Sequence, residues 1–181
     1  MKKHKIFISV FVIVSLFTVK GCILDAFDTL IQNVPVSKEF TLQGSSSSIF
    51  ETSNFCLNES STIEDYRGKI ENIELVTATY STVSISPANT KGDLTISLAK
   101  SDGTVLYTTT LTNISPATYI NNPLILQFSS TQLQLLNTYL GTLKEGTCFR
   151  ATLSVSNITP AGSSITLVGK VDVVFKMKAN P

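Results

Sequence analysis

Three cysteines, one histidine and thirteen carboxylates set the chemistry open to this 181-residue chain. The histidine, His4, sits in the opening MKKHK, ahead of a long apolar run. Past that run no Ser-His-Asp or Cys-His arrangement can be assembled. Cys56 and Cys148 stand far apart with no CxxC spacing, and a zinc site needs four protein ligands, or three and a water. Ser97-Leu98-Ala99-Lys100 matches the S-x-x-K nucleophile motif, but that chemistry stacks both side chains on one helical turn. The surrounding pattern is that of a strand, on which positions three apart face opposite sides. The companion S-D-N and K-T-G elements are missing. Glu59, Glu64 and Asp65 form the one acidic cluster from which the carboxylate pair of glycoside hydrolysis could be drawn. They read instead as the charged first turn of a short helix, where the helix dipole favours acids. No D-x-D-x-D-G calcium loop, P-loop or G-x-G-x-x-G occurs. The sequence therefore predicts no cofactor, no metal and no catalytic set. Three N-x-S/T triplets, at Asn58, Asn113 and Asn157, are read as chance occurrences in a Ser/Thr-rich chain.

Cys22 is different, because of what precedes it. Lys2, Lys3 and Lys5 open the chain, and residues 6–19 are an apolar run. Fourteen residues fall short of the roughly 18 needed to cross a ~30 Å hydrocarbon core. A basic start and an apolar middle of about 7–15 residues ending on a small residue make a secretory signal. Three outcomes follow: an ordinary cut after Gly21, retention as an anchor, or cleavage that makes Cys22 the first mature residue and acylates it. Val19, Gly21 and Cys22 resemble the lipobox of bacterial lipoproteins, with Lys20 standing where a small residue is usual. The resemblance covers about the first 22 residues. It implies a signal peptide over 1–21, cleavage by the lipoprotein signal peptidase, lipid on Cys22, and a partnership with the membrane through that lipid. One acyl chain holds only marginally, at ~0.8 kcal/mol per buried CH₂, and stable anchoring takes two or more. In Gram-negative lipoproteins an Asp directly after the cysteine retains the protein in the inner membrane. Ile23 stands there, so the resemblance implies the outer membrane.

Cleavage removes four lysines and His4 while keeping every acid, moving the formal charge from +1 to about −3 (10 − 13). No basic cluster remains that could follow a phosphate backbone, so nucleic acid is not an expected partner. The 160 residues left (181 − 21) suffice for one domain with its own core. In an exported chain the even pair Cys56 and Cys148 is expected to bond.

These residues must be positioned by mostly extended elements. Residues 22–36 are expected to be a lipidated N-terminus with a short helix or tether, since Leu24, Phe27, Leu30, Ile31 and Val34 recur near helical spacing and Pro35 disfavours a helix at its predecessor. Strands are expected over 38–44, 49–57 and 73–86, the last bulged near Ala78 and Tyr80. Ser61 and Glu64 fit a capping box before one or two helical turns. Residues 93–111 read as a hairpin about Ser101-Asp102-Gly103. A strand at 124–128 precedes the best helix, capped by Ser129 or Ser130, with Leu133, Leu136, Leu140 and Leu143 as its stripe. Two strongly alternating strands close the chain. One buried and one wet face per strand is the antiparallel pattern. The expectation is a mainly-β, two-sheet, immunoglobulin-like sandwich over residues 37–181 with one or two short helices. It would be a non-enzymatic envelope protein that binds an envelope protein or a glycan, or serves as structure. The alternatives are a carboxylate-pair hydrolase and a fibre subunit whose C-terminal strand joins a neighbour's sheet. If a recognition loop exists, the polar stretch holding Tyr119, Asn121 and Asn122 is its expected place.

Overall fold

The computed structural model describes residues 29–141 and 148–180. Eight strands form two antiparallel four-stranded sheets. They are β1 (Leu30–Gly44), β2 (Ser48–Cys56), β3 (Ile70–Ser86), β4 (Lys91–Lys100), β5 (Val105–Ile114), β6 (Leu124–Ile125), β7 (Cys148–Thr159) and β8 (Ile165–Ala179). One sheet runs β1-β8-β3-β6 and the other β2-β7-β4-β5. The expected two-sheet antiparallel sandwich is borne out. Its strand order specifies the kind: every connection crosses between the sheets except the β4–β5 hairpin, the order of an eight-stranded jelly roll. An immunoglobulin domain keeps its first two strands in one sheet, whereas β1 and β2 lie in different sheets.

The core lies between the sheets and follows from alternation. Along β8, Ile165, Leu167, Val171, Val173, Phe175 and Met177 point inward and are buried. They meet Leu94, Ile96, Leu98, Leu153 and Val155 of the opposite sheet in one apolar cluster. β8 is central and pairs along its length with β1 on one side and β3 on the other. It therefore has no free edge to lend a neighbouring sheet, and the strand-addition route to a fibre is corrected on that point.

Residues 30–36 are strand rather than the expected helix or tether, so the β domain begins at Leu30, not residue 37. Val34, Val36, Phe40 and Leu42 continue one period-2 face, and their pairing with β8 runs unbroken from Leu30↔Ala179 to Gly44↔Ile165. That long-range ladder overrides a local near-helical spacing. Pro35 is tolerated because β1 is an edge strand. Leu24 and Phe27, the rest of the expected helix, lie outside the described residues. In β3 the register slips after Leu75 and again after Thr82, flanking Ala78 and Tyr80 rather than at them. The extra residues Val76 and Val83 are turned outward.

Helices fill the gaps. α1 (Ser61–Asp65) buries Ile63, but its N-cap is Ser60 without a side-chain bond. The expected capping box is not formed, because Glu64 reaches forward to Arg67 at 3.1 Å. In α2 (Ser130–Gly141) the box does close: Ser129 N–H donates to Gln132 Oε1 at 2.9 Å, and Gln132 N–H donates to Ser129 Oγ at 3.2 Å. Leu136 and Leu140 are buried and Leu133 is 37% exposed; Leu143 lies outside the described residues. Asn137 Oδ1 accepts the Leu75 N–H at 3.0 Å, satisfying β3 where its register slips between Leu75 and Thr77. α2 thus plugs the side of the sandwich where β6, two residues long rather than the expected five, leaves β3 uncovered.

Candidate functional site

Cys22, the residue expected to carry lipid, lies outside the described residues. Cys56 and Cys148 sit opposite each other in the β2–β7 register and form a disulfide across 92 residues of sequence. Tyr139 of α2 covers this end. Its hydroxyl donates to the Cys148 carbonyl at 3.1 Å, its ring meets Phe149 edge-on at 5.2 Å, and the Lys100 ammonium lies 5.5 Å from its centroid. The S-x-x-K residues are apart in function: Ser97 faces outward on β4 while Lys100 turns to Tyr139.

The stretch expected to hold a recognition loop divides. Residues Pro116–Tyr119 form a 3₁₀ turn with Pro116 buried. Tyr119 is packed against the core, edge-on to Tyr80 at 5.9 Å. Tyr80 is fully buried, its hydroxyl bonded to Thr82 Oγ1 at 2.9 Å, and burial pushes its pKa up to about 12. Asn121 and Asn122 are exposed beside Ile120. The structure therefore gives Tyr119 an anchoring position and leaves the two asparagines at the surface.

A clasp not read from the sequence lies across β4. Asp93 Oδ1 accepts the Asn113 N–H at 2.7 Å from β5, and Oδ2 accepts from Asn157 Nδ2 at 2.6 Å on β7. Both asparagines have positive φ, 49° and 52°, and both mark register shifts beside Gly92 and Asp93. Asn tolerates that backbone better than other non-glycine residues. Gly92 is required next door, since a Cβ there would lie 2.8 Å from the Ser156 carbonyl oxygen. The backbone bond from Asn113 and the amide of Asn157 hold the Asp93 carboxyl below the usual carboxylate range. A depressed folded pKa contributes stability that is present above the unfolded value of about 3.9 and lost as pH falls through the folded value. The stability difference between wild type and Asp93→Ala is accordingly expected at pH 7 and to vanish on acidification below that value. Urea midpoints from pH 7 to pH 2 check this; a difference that stays constant contradicts it.

The described acids lie at the surface. Glu59 reaches Lys38 at 3.9 Å, Lys170 pairs Asp172 at 3.0 Å, and Lys178 pairs Glu71. The Lys178 ammonium, with Asn180 assisting, lowers the Glu71 pKa. Two small inter-sheet clefts, sharing Leu98 and Val173, are lined by no carboxylate. Among the described residues no group of three or more His, Cys, Asp or Glu side chains could hold a metal ion, and no helix is long and apolar enough to cross a membrane.

The two outward faces differ in chemistry. On the β1-β8-β3 face, register brings Glu39 beside Lys170, Ser37 beside Asp172, and Lys176 beside Glu74. On the other face successive cross-strand rows read Ser48–Ser156–Asp93, Phe50–Ser154–Thr95–Thr110, Thr52–Thr152–Ser97–Thr108 and Asn54–Arg150–Ala99. Hydroxyls dominate it. Thr52 meets Thr152, and Thr95 meets Thr110, each at 2.9 Å between oxygens. Phe50 stands on this face 73% exposed. The sequence carried a signal for it: Ile49 and Phe50 are adjacent in one strand, so only one can face the core, and Ile49 does.

No family model matches the chain, and no curated protein matches it. Solved structures are similar in fold. A chain of the Desmodium yellow mottle tymovirus structure is 11% identical, with a TM-score of 0.44 over 84% of this chain and 83% of that one. The empty head of turnip yellow mosaic virus gives 9% identity and a TM-score of 0.42, covering 84% and 82%. The VP2 subviral particle of infectious bursal disease virus gives 11% and 0.38, covering 84% of this chain and 37% of that chain. Likeness at this level carries no statement about what this chain does.

Proposed function

We propose that the chain is a lipid-anchored, non-enzymatic protein of the cell envelope whose jelly roll binds a partner or serves as structure. The observation that carries the reading is Cys22, directly after Gly21 at the end of the apolar run of a basic-headed leader. In support, the described carboxylates are surface groups outside both inter-sheet clefts, where a hydrolase would need a pair flanking its substrate. The disulfide suits an exported chain. Seven residues, 23–29, separate Cys22 from β1. Fully extended, seven residues reach at most ~25 Å, so the domain stands within that distance of the acyl chains and works at the membrane surface. By resemblance that membrane is the outer one in a Gram-negative cell.

The test is metabolic labelling with a clickable palmitate analogue in a cell that expresses the full chain. Label on the wild type and none on Cys22→Ala is expected. Absence of label on the wild type, or equal label on both, defeats the reading.

A further inference from the structure

The outward face of the β2-β7-β4-β5 sheet carries side chains with one shared property. Ser154, Thr95, Thr110, Thr52, Thr152 and Ser97 are neutral hydroxyls set in register across four strands. Strand spacing of ~4.8 Å and alternate-residue spacing of ~6.8 Å make this a regular grid of donors and acceptors. Its charged members stand toward the ends, Lys91 and Asp93 at one and Arg150 at the other, and Asp93 is already engaged with Asn113 and Asn157. The opposite sheet, built to the same alternation, also carries hydroxyls, among them Ser37, Thr41, Thr79 and Ser81, but sets the charged pairs Glu39–Lys170 and Glu74–Lys176 across its rows. Phe50 is the largest exposed apolar side chain of the described residues and lies in a hydroxyl row, beside Ser154.

We infer that this face is a platform for an uncharged polysaccharide, with Phe50 as its stacking residue. The inference rests on the envelope reading above and names the partner class. A pyranose presents C–H bonds on one face and hydroxyls around its rim. An exposed aromatic ring receives the first, and side-chain hydroxyls that donate and accept exchange bonds with the second. The face lacks the charge that an anionic polymer or nucleic acid would require. It also suits a second copy poorly, because serine is depleted from protein–protein interface cores and apolar residues dominate there.

The test is affinity electrophoresis of the full chain, in mild detergent, through gels containing dextran, hydroxyethyl cellulose, a β-1,3-glucan or a mannan, with alginate as the anionic control. At least one neutral polymer is expected to retard the wild type. Phe50→Ala is expected to weaken that retardation roughly tenfold, the loss typical of truncating an interface anchor, and Ser97→Val with Thr152→Val to weaken it further. Circular dichroism melts check that the variants fold; Phe50→Ser, a polar replacement at the same exposed position, gives a second reading should Phe50→Ala melt early. Retardation by no neutral polymer, retardation by alginate alone, or retardation that Phe50→Ala and Phe50→Ser leave unchanged overturns the inference. So does sedimentation that shows Phe50→Ala converting a dimer to a monomer, since the face would then be an interface between copies. None of these outcomes touches palmitate label at Cys22, and loss of that label leaves the gel result standing.

Discussion

Replacing Cys56 and Cys148 together by alanine is expected to lower the unfolding free energy by about 4–5 kcal/mol in the chain-entropy description of a loop this long. The bond joins residues 92 apart, and the cost of closing a loop in the unfolded chain grows with the logarithm of its length. The two residues are also partners in the β2–β7 ladder. The bond therefore constrains the unfolded chain toward a pairing the native chain already makes. β2 is an edge strand, with β7 as its one ladder partner, so this end of the sheet gains most. Guanidinium denaturation of the variant under oxidising conditions, beside reduced wild type, reads the loss. Both should shift to the same lower midpoint. A variant as stable as oxidised wild type contradicts the assignment of the bond as a main constraint.

The centre of the sandwich gives the second large effect. Leu153 is fully buried, and a Cβ built on Gly169 of the facing sheet would lie 2.7 Å from Leu153 Cδ2 and 3.0 Å from the Tyr80 ring. Gly169 is thus the space into which Leu153 and Tyr80 close. Leu153→Ala is expected to cost about 2–5 kcal/mol, as transfer and cavity terms add. Gly169→Ala overpacks the same spot and is expected to cost about 1–3 kcal/mol. Residues in contact do not add: in the double variant the new methyl takes space that Leu153 vacated, so the combined loss is expected to fall short of the sum by about 1 kcal/mol or more. Urea denaturation of the four proteins closes the cycle. Strict additivity would show that the two positions do not share the space.

Much of the fold was legible because the strands are amphipathic. The β4–β5 hairpin follows directly from alternation about Ser101-Asp102-Gly103, with Gly103 at φ 89° and Asp102 accepting the Thr104 N–H. β7, β8 and α2 were equally plain, and the disulfide followed from cysteine number and the expected export. The jelly-roll order was not legible, because alternation says which face a strand buries but not which strand it pairs with. The hairpin is the one connection joining neighbours in a sheet; the rest cross between sheets. β1 departs from its local pattern for the same reason, since its partners in β8 lie 121 (165 − 44) to 149 (179 − 30) residues away. The surface hydroxyl face was hidden too: each strand shows its own Ser and Thr residues, but the grid exists only once four strands are in register. The Asp93 clasp likewise joins three strands, and no local pattern marks it.

Intact mass spectrometry of the protein purified from cells that express the full chain, with fragmentation of the amino-terminal peptide, tests the central claim most directly. The account predicts a chain that begins at Cys22 and carries two or three acyl groups there. A free thiol at Cys22, or a chain that still carries residues 1–21, would contradict it.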